Sequence, residues 1–205
     1  VVFENPRAIF RIKEMAAALT PYFLGGSLGW HDFLASTARL FRFDPGYRIP
    51  VKADPNIVIH HIRESHHILV RDLASCGAQK IGGMYGVLPA DDGDSWVVSM
   101  VGFVKDVVTQ MKRGLDGFWV AHPDFVRVGI ALVEAWRRHQ LDPDEDESLE
   151  LLVRALVPDP GELEPLLAFV RGPDVHGLED TDPRYQRAVL AAELPHADPL
   201  GVGLV

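Results

Sequence analysis

The sequence has a single cysteine, Cys76, among its 205 residues. One thiol cannot build an internal disulfide framework, nor can it supply the several thiolates of a structural zinc site. It fits a protein of the reducing cytosol, so a cytoplasmic location is expected. The chain also has no apolar run of membrane-spanning length, and we therefore expect no membrane partner.

A basic stripe is missing as well. The formal net charge is −9, and the acidic excess is concentrated near the end: residues 142–205 carry 15 acidic and 4 basic side chains, whereas residues 1–141 carry 14 and 16. Nucleic-acid binding requires clustered basic side chains that neutralise phosphates. We therefore expect no nucleic-acid partner, and the acidic end is most simply a solvated surface.

What the chain does have is an alternation of strand and helix patterns and 47% hydrophobic residues, enough for a sizeable core. The patterns predict strands at 1–4, 23–29, 47–53, 80–88 and 118–121, and helices at 6–19, 32–43, 57–74 and 96–113. Such alternation is typical of parallel strands joined by helical crossovers. Beyond residue 141 an acidic linker leads into a helix at Ser148–Leu156, and short proline-punctuated helices follow without a strand pattern.

Residues 116–124 combine a turn, a strand and a helix start. An Asp-Gly pair supplies the turn, four apolar residues fit a buried parallel strand, and Pro123 suits the first turn of a helix. Strand, loop and helix form one unit of an α/β barrel, whose chemistry is built at the carboxyl ends of the strands. Trp119, His122 and Asp124 are therefore site candidates. The plainer alternative is a core tryptophan and a helix-capping aspartate.

Two further patterns carry a weaker functional signal. The histidines His60, His61, His66 and His67 invite a metal site, but they lack the i,i+4 spacing that places two imidazoles on one helix face for a shared ion. We interpret them as surface histidines of a helix. The run Gly25-Gly26-Ser27 is similar to a phosphate-binding loop only in its glycines, because no lysine completes it.

The motifs at two strand ends carry a family resemblance. Gly82-Gly83-Met84, followed about thirty residues later by the run at 116–123, resembles the last two barrel strands of the malate synthase family. Upstream, Glu4 ends a strand as the family's metal-binding glutamate does, and Gly29-Trp30-His31-Asp32 resembles the turn that carries its second metal ligand. The resemblance implies an α/β fold: a partial (β/α)8 TIM barrel, about strands four to eight, over residues 1–140. Residues 141–205 would be an acidic helical segment leading to a C-terminal domain beyond this chain.

The resemblance also implies a reaction, the Mg²⁺-dependent Claisen condensation of acetyl-CoA with glyoxylate to give malate and CoA. Glu4 and Asp32 would hold the Mg²⁺, because hard carboxylate oxygens suit this ion. Asp32 is also well placed as a helix N-cap. If both acids ligate one ion, we expect their carboxyl oxygens to lie within about 7 Å of each other.

By the same resemblance, groups near Glu4 and Asp32 would bind the family's substrates. Gly29 lets backbone amides approach, and the amides of His31 and Asp32 would donate to the carboxylate of glyoxylate. Trp119 would form an apolar wall beside this small substrate, and Pro123 would border the channel for the pantetheine arm of acetyl-CoA. We expect the four strand ends that carry Glu4, Asp32, Met84 and Trp119 to lie at the same end of one parallel sheet.

Two parts of the family's machinery have no match here, the aspartate that acts as catalytic base and an arginine from an early barrel strand. We therefore assign no catalytic residue and expect the chain alone to be inactive. Because the sequence opens inside an apolar strand, we interpret it as a piece of a longer protein, and a homo-oligomer is compatible with this interpretation. Two alternatives stay open: a citrate lyase-type acyl-CoA lyase or thioesterase of the same superfamily, and a degenerate barrel that acts as a binding or assembly module.

Overall fold

The computed structural model describes residues 1–45, 60–88, 93–143 and 146–174, together with residue 183. The predicted strand at 47–53 lies outside these residues. The strands are β1 Val2–Phe3, β2 Gly25–Leu28, β3 Gln79–Tyr85 and β4 Gly117–Val120. The helices are α1 Pro6–Ile9, α2 Ile12–Ala18, α3 Trp30–Leu40, α4 His60–Ser75, α5 Gly93–Lys112, α6 Asp124–Leu141, α7 Ser148–Leu156 and α8 Pro160–Arg171.

The four strands form one sheet in the order β1-β2-β3-β4, and every neighbouring pair is parallel. Ser27 of β2 is aligned with Val2 of β1 on one side and with Ile81 of β3 on the other. The parallel α/β arrangement predicted from the alternation of strand and helix patterns is thereby confirmed. Parallel strands of this kind need crossover connections, and α4 and α5 supply the two that precede β3 and β4.

One face of the sheet is buried beneath helices. Phe3 and Leu28, aligned across β1 and β2, are fully buried. A Cβ on Gly26 would lie 2.6 Å from the Phe3 ring and 3.2 Å from Leu73 of α4, so a glycine is needed for the close approach of helix and strand. The core extends through further apolar side chains of the helices: Leu69, Met100, Phe103, Val104, Val107, Phe125 and Leu132.

The opposite face, which we call the open face, carries side chains that are far more exposed. Met84 of β3 and Trp119 of β4 are aligned with each other and are 36% and 46% exposed. Val2 of β1 is also exposed. Because Phe118, the residue before Trp119, packs against Gly129 of α6, Trp119 points away from the helices.

The helices before β3 and β4 end in the same way. Gly77 and Gly114 have φ angles of 65° and 84°, a left-handed conformation that glycine adopts without steric cost. In the first of these turns the amide of Ala78 donates to the Leu73 carbonyl at 3.0 Å, the long bond of a Schellman motif. These two glycines reverse the chain so that each strand can start at the same edge of the sheet.

The C-terminal helices pack on the outside of the helical layer. Leu149 and Val153 of α7 are buried, as are Leu166 and Leu167 of α8. Beyond α8, Asp174 lies 3.1 Å from Arg113 Nε and 3.5 Å from Arg63 Nε, and all three side chains are largely buried. This part of the acidic segment is thus attached to the barrel helices through charge pairs, and the expectation of a simple solvated surface does not hold for Asp174.

The helix predicted over 6–19 is split in the structure into α1, which ends with Phe10 as its C-cap, and α2, which begins after Arg11. The Asn5 side chain caps α1 by accepting from the amides of Arg7 and Ala8 at 3.0 Å each. Residues 25–27 belong to β2, inside the strand predicted over 23–29. None of the described helices is long and apolar enough to cross a membrane.

The buried aromatic group between the sheet and α6 should dominate stability. Phe103 is fully buried and stacks on Phe125 with 4.6 Å between ring centroids. Phe103→Ala should lower the free energy of unfolding by about 3–5 kcal/mol, the range for large cavities in a core, as measured by urea denaturation. Phe10→Ala is the matched control, since Phe10 is exposed, and it should change stability little. A loss below about 1 kcal/mol for Phe103→Ala would contradict this packing.

Acid sensitivity should involve Asp72 on α4, which is 5% exposed. The Arg71 guanidinium donates to it at 2.7 Å and holds its pKa below the usual range. A carboxyl with a lowered folded-state pKa adds stability above its unfolded pKa, about 3.9, and this stability is lost as the pH falls through the folded value. Unfolding free energies should therefore fall more steeply below about pH 5 for the wild type than for Asp72→Asn. The exposed Glu14→Gln serves as control, and parallel curves for wild type and Asp72→Asn would refute the role.

Candidate functional site

The carboxyl ends of the strands bring the predicted residues to one edge of the sheet. Glu4 directly follows β1, and Asp32 lies in the first turn of α3, just after β2. Met84 and Trp119 are aligned with each other close to the ends of β3 and β4. Since all four strands are parallel, the expectation that these residues share one end of the sheet is confirmed.

The Glu4 side chain lies against the turn that begins α3. A Cβ on Gly29 would be 2.7 Å from Glu4 Cγ and 3.0 Å from Glu4 Oε1. The backbone fixes this proximity, because the Gly29 amide donates to the Phe3 carbonyl at 3.1 Å and Ser36 Oγ donates to the Glu4 carbonyl at 3.0 Å. Because residue 29 is a glycine, the Glu4 carboxylate has room beside it. This position lies three residues before Asp32.

The helix that carries Asp32 starts earlier than the sequence predicts. Its N-cap is Gly29 and its first residue is Trp30, so Asp32 is the third helical residue and not the N-cap. The first intrahelical bond joins the Phe33 amide to the Gly29 carbonyl at 2.9 Å. The amides of His31 and Asp32 precede this bond and belong to the N-terminal end of the helix, where amides and the helix dipole favour an anion.

The acidic groups at this edge fit a hard cation. Both Glu4 and Asp32 are exposed, and among the described residues neither takes part in an ion pair. No group of three or more His, Cys, Asp or Glu side chains that could hold a metal occurs in the described part of the chain. Glu4 and Asp32 therefore stay the predicted metal ligands, and carboxylate oxygen is the ligand type that Mg²⁺ prefers.

A β-bulge shapes the end of β3. Gly82 is aligned with Phe118 and Met84 with Trp119, so Gly83 is an extra residue on its strand. A Cβ on Gly83 would lie 2.7 Å from Trp30 Cδ1. Glycine at position 83 therefore avoids a clash with the Trp30 ring, and the first residue of α3 packs against the bulge.

The loop after β4 holds the remaining candidates. His122 is exposed, and its Nδ1 accepts from the Asp124 amide at 3.3 Å and lies 3.4 Å from Asp124 Oδ2. Pro123 is the N-cap of α6 and forms no side-chain capping bond. Asp124 is the first residue of the helix. The plainer alternative of a capping aspartate is therefore wrong. Trp119 is not a core residue either, since nearly half of it is exposed on the open face.

The histidine interpretation needs a correction. His66 is only 6% exposed and lies 3.2 Å from Arg113 Nη1, so it is not a surface histidine. Its ring lies beside the Arg113 guanidinium, just after the end of α5. His67 is partly exposed, beside Glu64, whereas the side chains of His60 and His61 lie outside the described residues.

Sequence reasoning missed three residues that shape the site. Trp30 seats α3 on β3, Gln110 of α5 contacts the bulge, and the Ser27 hydroxyl donates to the Gly82 carbonyl at 3.3 Å. A signal for Gln110 existed, since it lies among the apolar residues that give α5 its buried side. The bulge itself has no comparable signal, because two glycines in a strand are also compatible with regular pairing.

The parallel sheet, its helical layer and the acids at the carboxyl edge define part of a TIM-barrel domain with a candidate metal site. Residues 1–157 match the family model described as "Malate synthase, TIM barrel domain", and the chain belongs to this family. This confirms the resemblance at the level of the family.

Similar curated proteins carry the same name. A malate synthase of Streptomyces clavuligerus is 30% identical over 154 residues, covering 72% of this chain and 28% of the relative. Malate synthases of Oryza sativa subsp. japonica and Arabidopsis thaliana are 28% and 25% identical over 62% and 84% of this chain. The chain matches only 22% and 30% of the length of these two relatives.

The contact of Trp30 with the bulge can be tested by adding one methyl group. Gly83→Ala should force the Trp30 ring to move and lower the free energy of unfolding by about 1–3 kcal/mol, as overpacking does. Gly86→Ala is the matched control, because nothing lies within 4 Å of a Cβ built there. Equal urea midpoints for the two variants would show that Trp30 does not rest on Gly83.

Proposed function

We propose that the protein to which this chain belongs is a malate synthase, which condenses acetyl-CoA with glyoxylate to give malate and CoA. The observation that carries the proposal is the position of the Glu4 carboxylate against Gly29, three residues before Asp32, in a chain of the malate synthase TIM-barrel family. The proposed enzyme is an acyltransferase with Mg²⁺ as cofactor. The proposed substrates, partners and activity are those of the whole protein and not of residues 1–205 alone.

Glu4 and Asp32 would hold the Mg²⁺. Their exposed carboxylates at one sheet edge repel each other unless a cation is shared, and they form no ion pair within the described part of the chain. A bound Mg²⁺ supplies Lewis acidity at the aldehyde oxygen of glyoxylate. The prediction that the two carboxylates lie within about 7 Å of each other stays a prediction.

The chain's own groups would bind and orient glyoxylate. The amides of His31 and Asp32 at the N-terminal end of α3 would donate to its carboxylate. The space beside Gly29 is taken by the Glu4 side chain, so the glycine brings the proposed metal ligand next to these amides. Trp119 and Met84 on the open face form an apolar wall. Such a wall excludes water from the aldehyde carbon, where the new bond forms.

Acetyl-CoA would approach from the loop after β4, with Pro123 bordering the channel for its pantetheine arm. The acetyl methyl group must lose a proton before it attacks the aldehyde, and this requires a base within hydrogen-bond reach. We assign neither that base nor the polarising arginine to residues 1–205. Residues 1–140 would thus be the second half of the barrel, and residues 141–205 would lead to the domain that brings the base. A cytoplasmic location and a homo-oligomer belong to the same proposal.

The test is release of thiol when glyoxylate is added to the full-length protein with acetyl-CoA and Mg²⁺. We expect glyoxylate-dependent release with formation of malate, and none from residues 1–205 alone, because general-base catalysis contributes about 10²–10⁴-fold. Asp32→Asn should abolish turnover by weakening metal binding. Glu14→Gln, an exposed acid paired with Arg11 at 3.1 Å, is the matched control and should retain full activity.

Other outcomes identify the alternatives. Thiol release at the same rate without glyoxylate would favour a thioesterase or a citrate lyase-type enzyme. No release by the full-length protein under any of these conditions would favour a degenerate barrel that only binds or assembles. Activity of Asp32→Asn equal to that of the wild type would refute the metal role of Asp32.

A further inference from the structure

A buried amide lies behind the site, on the helical side of β3. Gln110 of α5 is 4% exposed. Its Nε2 donates to Asp106 Oδ2 at 2.7 Å and to the Gly83 carbonyl at 3.3 Å. The second contact is to the extra residue of the bulge, whose carbonyl is displaced from the regular ladder.

The fit between this side chain and the strand is very close. A Cβ on Gly82 would lie 1.5 Å from Gln110 Oε1, so the glutamine occupies the volume that a side chain at position 82 would need. Its neighbours along the helix, Val107, Val108 and Met111, are buried apolar residues. A buried primary amide costs free energy where it is not hydrogen-bonded. Nε2 is bonded to Asp106 and to the carbonyl that marks the bulge, whereas Oε1 has no partner within the described residues.

The bulge decides which side chains reach the open face. Gly82 faces the helices, since Gln110 fills the space beside it, and regular alternation would turn Met84 to the helices as well. The extra residue at Gly83 reverses this order and aligns Met84 with Trp119. Tyr85 then faces α5, where a Cβ on Gly102 would lie 2.1 Å from its hydroxyl oxygen.

We propose that Gln110 is a positioning residue for the glyoxylate site: by binding the Gly83 carbonyl it holds the bulge that places Met84 beside Trp119 and seats Trp30 at the start of α3. The inference rests on the proposed function for its catalytic consequence, but not for its structural part. Gln110 touches neither substrate nor metal in this proposal. It acts through the backbone of β3.

The position of Asp106 agrees with this role. Its carboxylate accepts from Gln110 Nε2 at 2.7 Å, a charge-assisted bond that fixes the direction of the amide. Burial, with a further contribution from the Asp106 charge, raises the pKa of the Tyr85 hydroxyl. The raised pKa keeps the Tyr85 hydroxyl neutral.

The structural part can be tested on this chain by methionine methyl NMR. Gln110→Leu removes the donor, and leucine is shorter, so it does not collide with Gly82. We expect the Met84 methyl resonance, assigned through Met84→Leu, to move, while that of Met15 on α2 stays in place. Thr109→Ala on the same helix is the matched control, because Thr109 Oγ1 bonds only to the Lys105 carbonyl at 2.7 Å.

An unchanged Met84 resonance in folded Gln110→Leu would overturn the proposal. If that variant does not fold, Asp106→Asn is used instead, since it keeps an acceptor and weakens the orientation of the amide. A smaller shift of Met84 in the same direction is then expected, and no shift there would also overturn the proposal.

The catalytic part is tested on the full-length protein. Gln110→Leu should raise KM for glyoxylate about tenfold, the effect of one lost buried hydrogen bond, and leave KM for acetyl-CoA unchanged. A loss of stability alone would lower the amount of active enzyme. It would then reduce the maximal rate and leave the KM values for glyoxylate and for acetyl-CoA unchanged. Equal KM values for glyoxylate in variant and wild type would overturn the positioning role. If the wild type is inactive but the Met84 methyl resonance still moves in Gln110→Leu, the result would count against the proposed function and not against the structural role of Gln110.

Discussion

Burial of one face of a parallel sheet beneath α4 and α5 is the constraint on which the rest of this structure depends. Phe3 and Leu28 are fully buried on that face, and alternation along each strand then assigns every second residue to the other face. Since all neighbours are parallel, the same constraint collects the strand ends at one edge. The strand ends that carry Glu4, Asp32, Met84 and Trp119 lie there because the core fixes strand direction and register.

Close contact between layers is made possible by missing side chains. Gly26, Gly82 and Gly129 each lie where a Cβ would approach Phe3, Gln110 or Phe118. Helices can then approach the strands closely enough for dense packing. At Gly29 and Gly83 the space is used differently, since Glu4 and Trp30 occupy it. The glycines of the strands therefore serve the core on one face and the site at the edge.

Two polar groups within the helical layer each have a structural task. Gln110 and Asp106 bind one another beside the bulge. Farther from the site, Asp174 lies between Arg63 and Arg113, so the segment after α8 is held by charges with little exposure. Removing one member of such a group leaves a buried charge without compensation. These contacts favour one arrangement of the helices over the many that apolar packing alone would allow.

Much of the fold could be predicted from the sequence, because strand and helix periodicities are properties of neighbouring residues. The parallel sheet, and the common edge for Glu4, Asp32 and Trp119, followed from that alternation. The start of α3 did not, since the helix begins at Trp30, whose ring lies against Gly83 of a distant strand. The burial of His66 likewise depends on Arg113, 47 residues away. Local patterns contain no information about such pairs.

The bulge also depends on a contact between residues far apart in the chain. It shows why the geometry of the site is harder to predict than the fold. A regular strand and a bulged strand can share one sequence pattern, yet they send Met84 to opposite faces. Here the choice is made by a glutamine 26 residues after Met84, which reaches β3 only because Gly82 has no side chain. In the proposed enzyme, the two carboxylates were predicted from the family resemblance of the motifs at the strand ends. The wall that confines glyoxylate depends instead on a hydrogen bond between elements far apart in the chain.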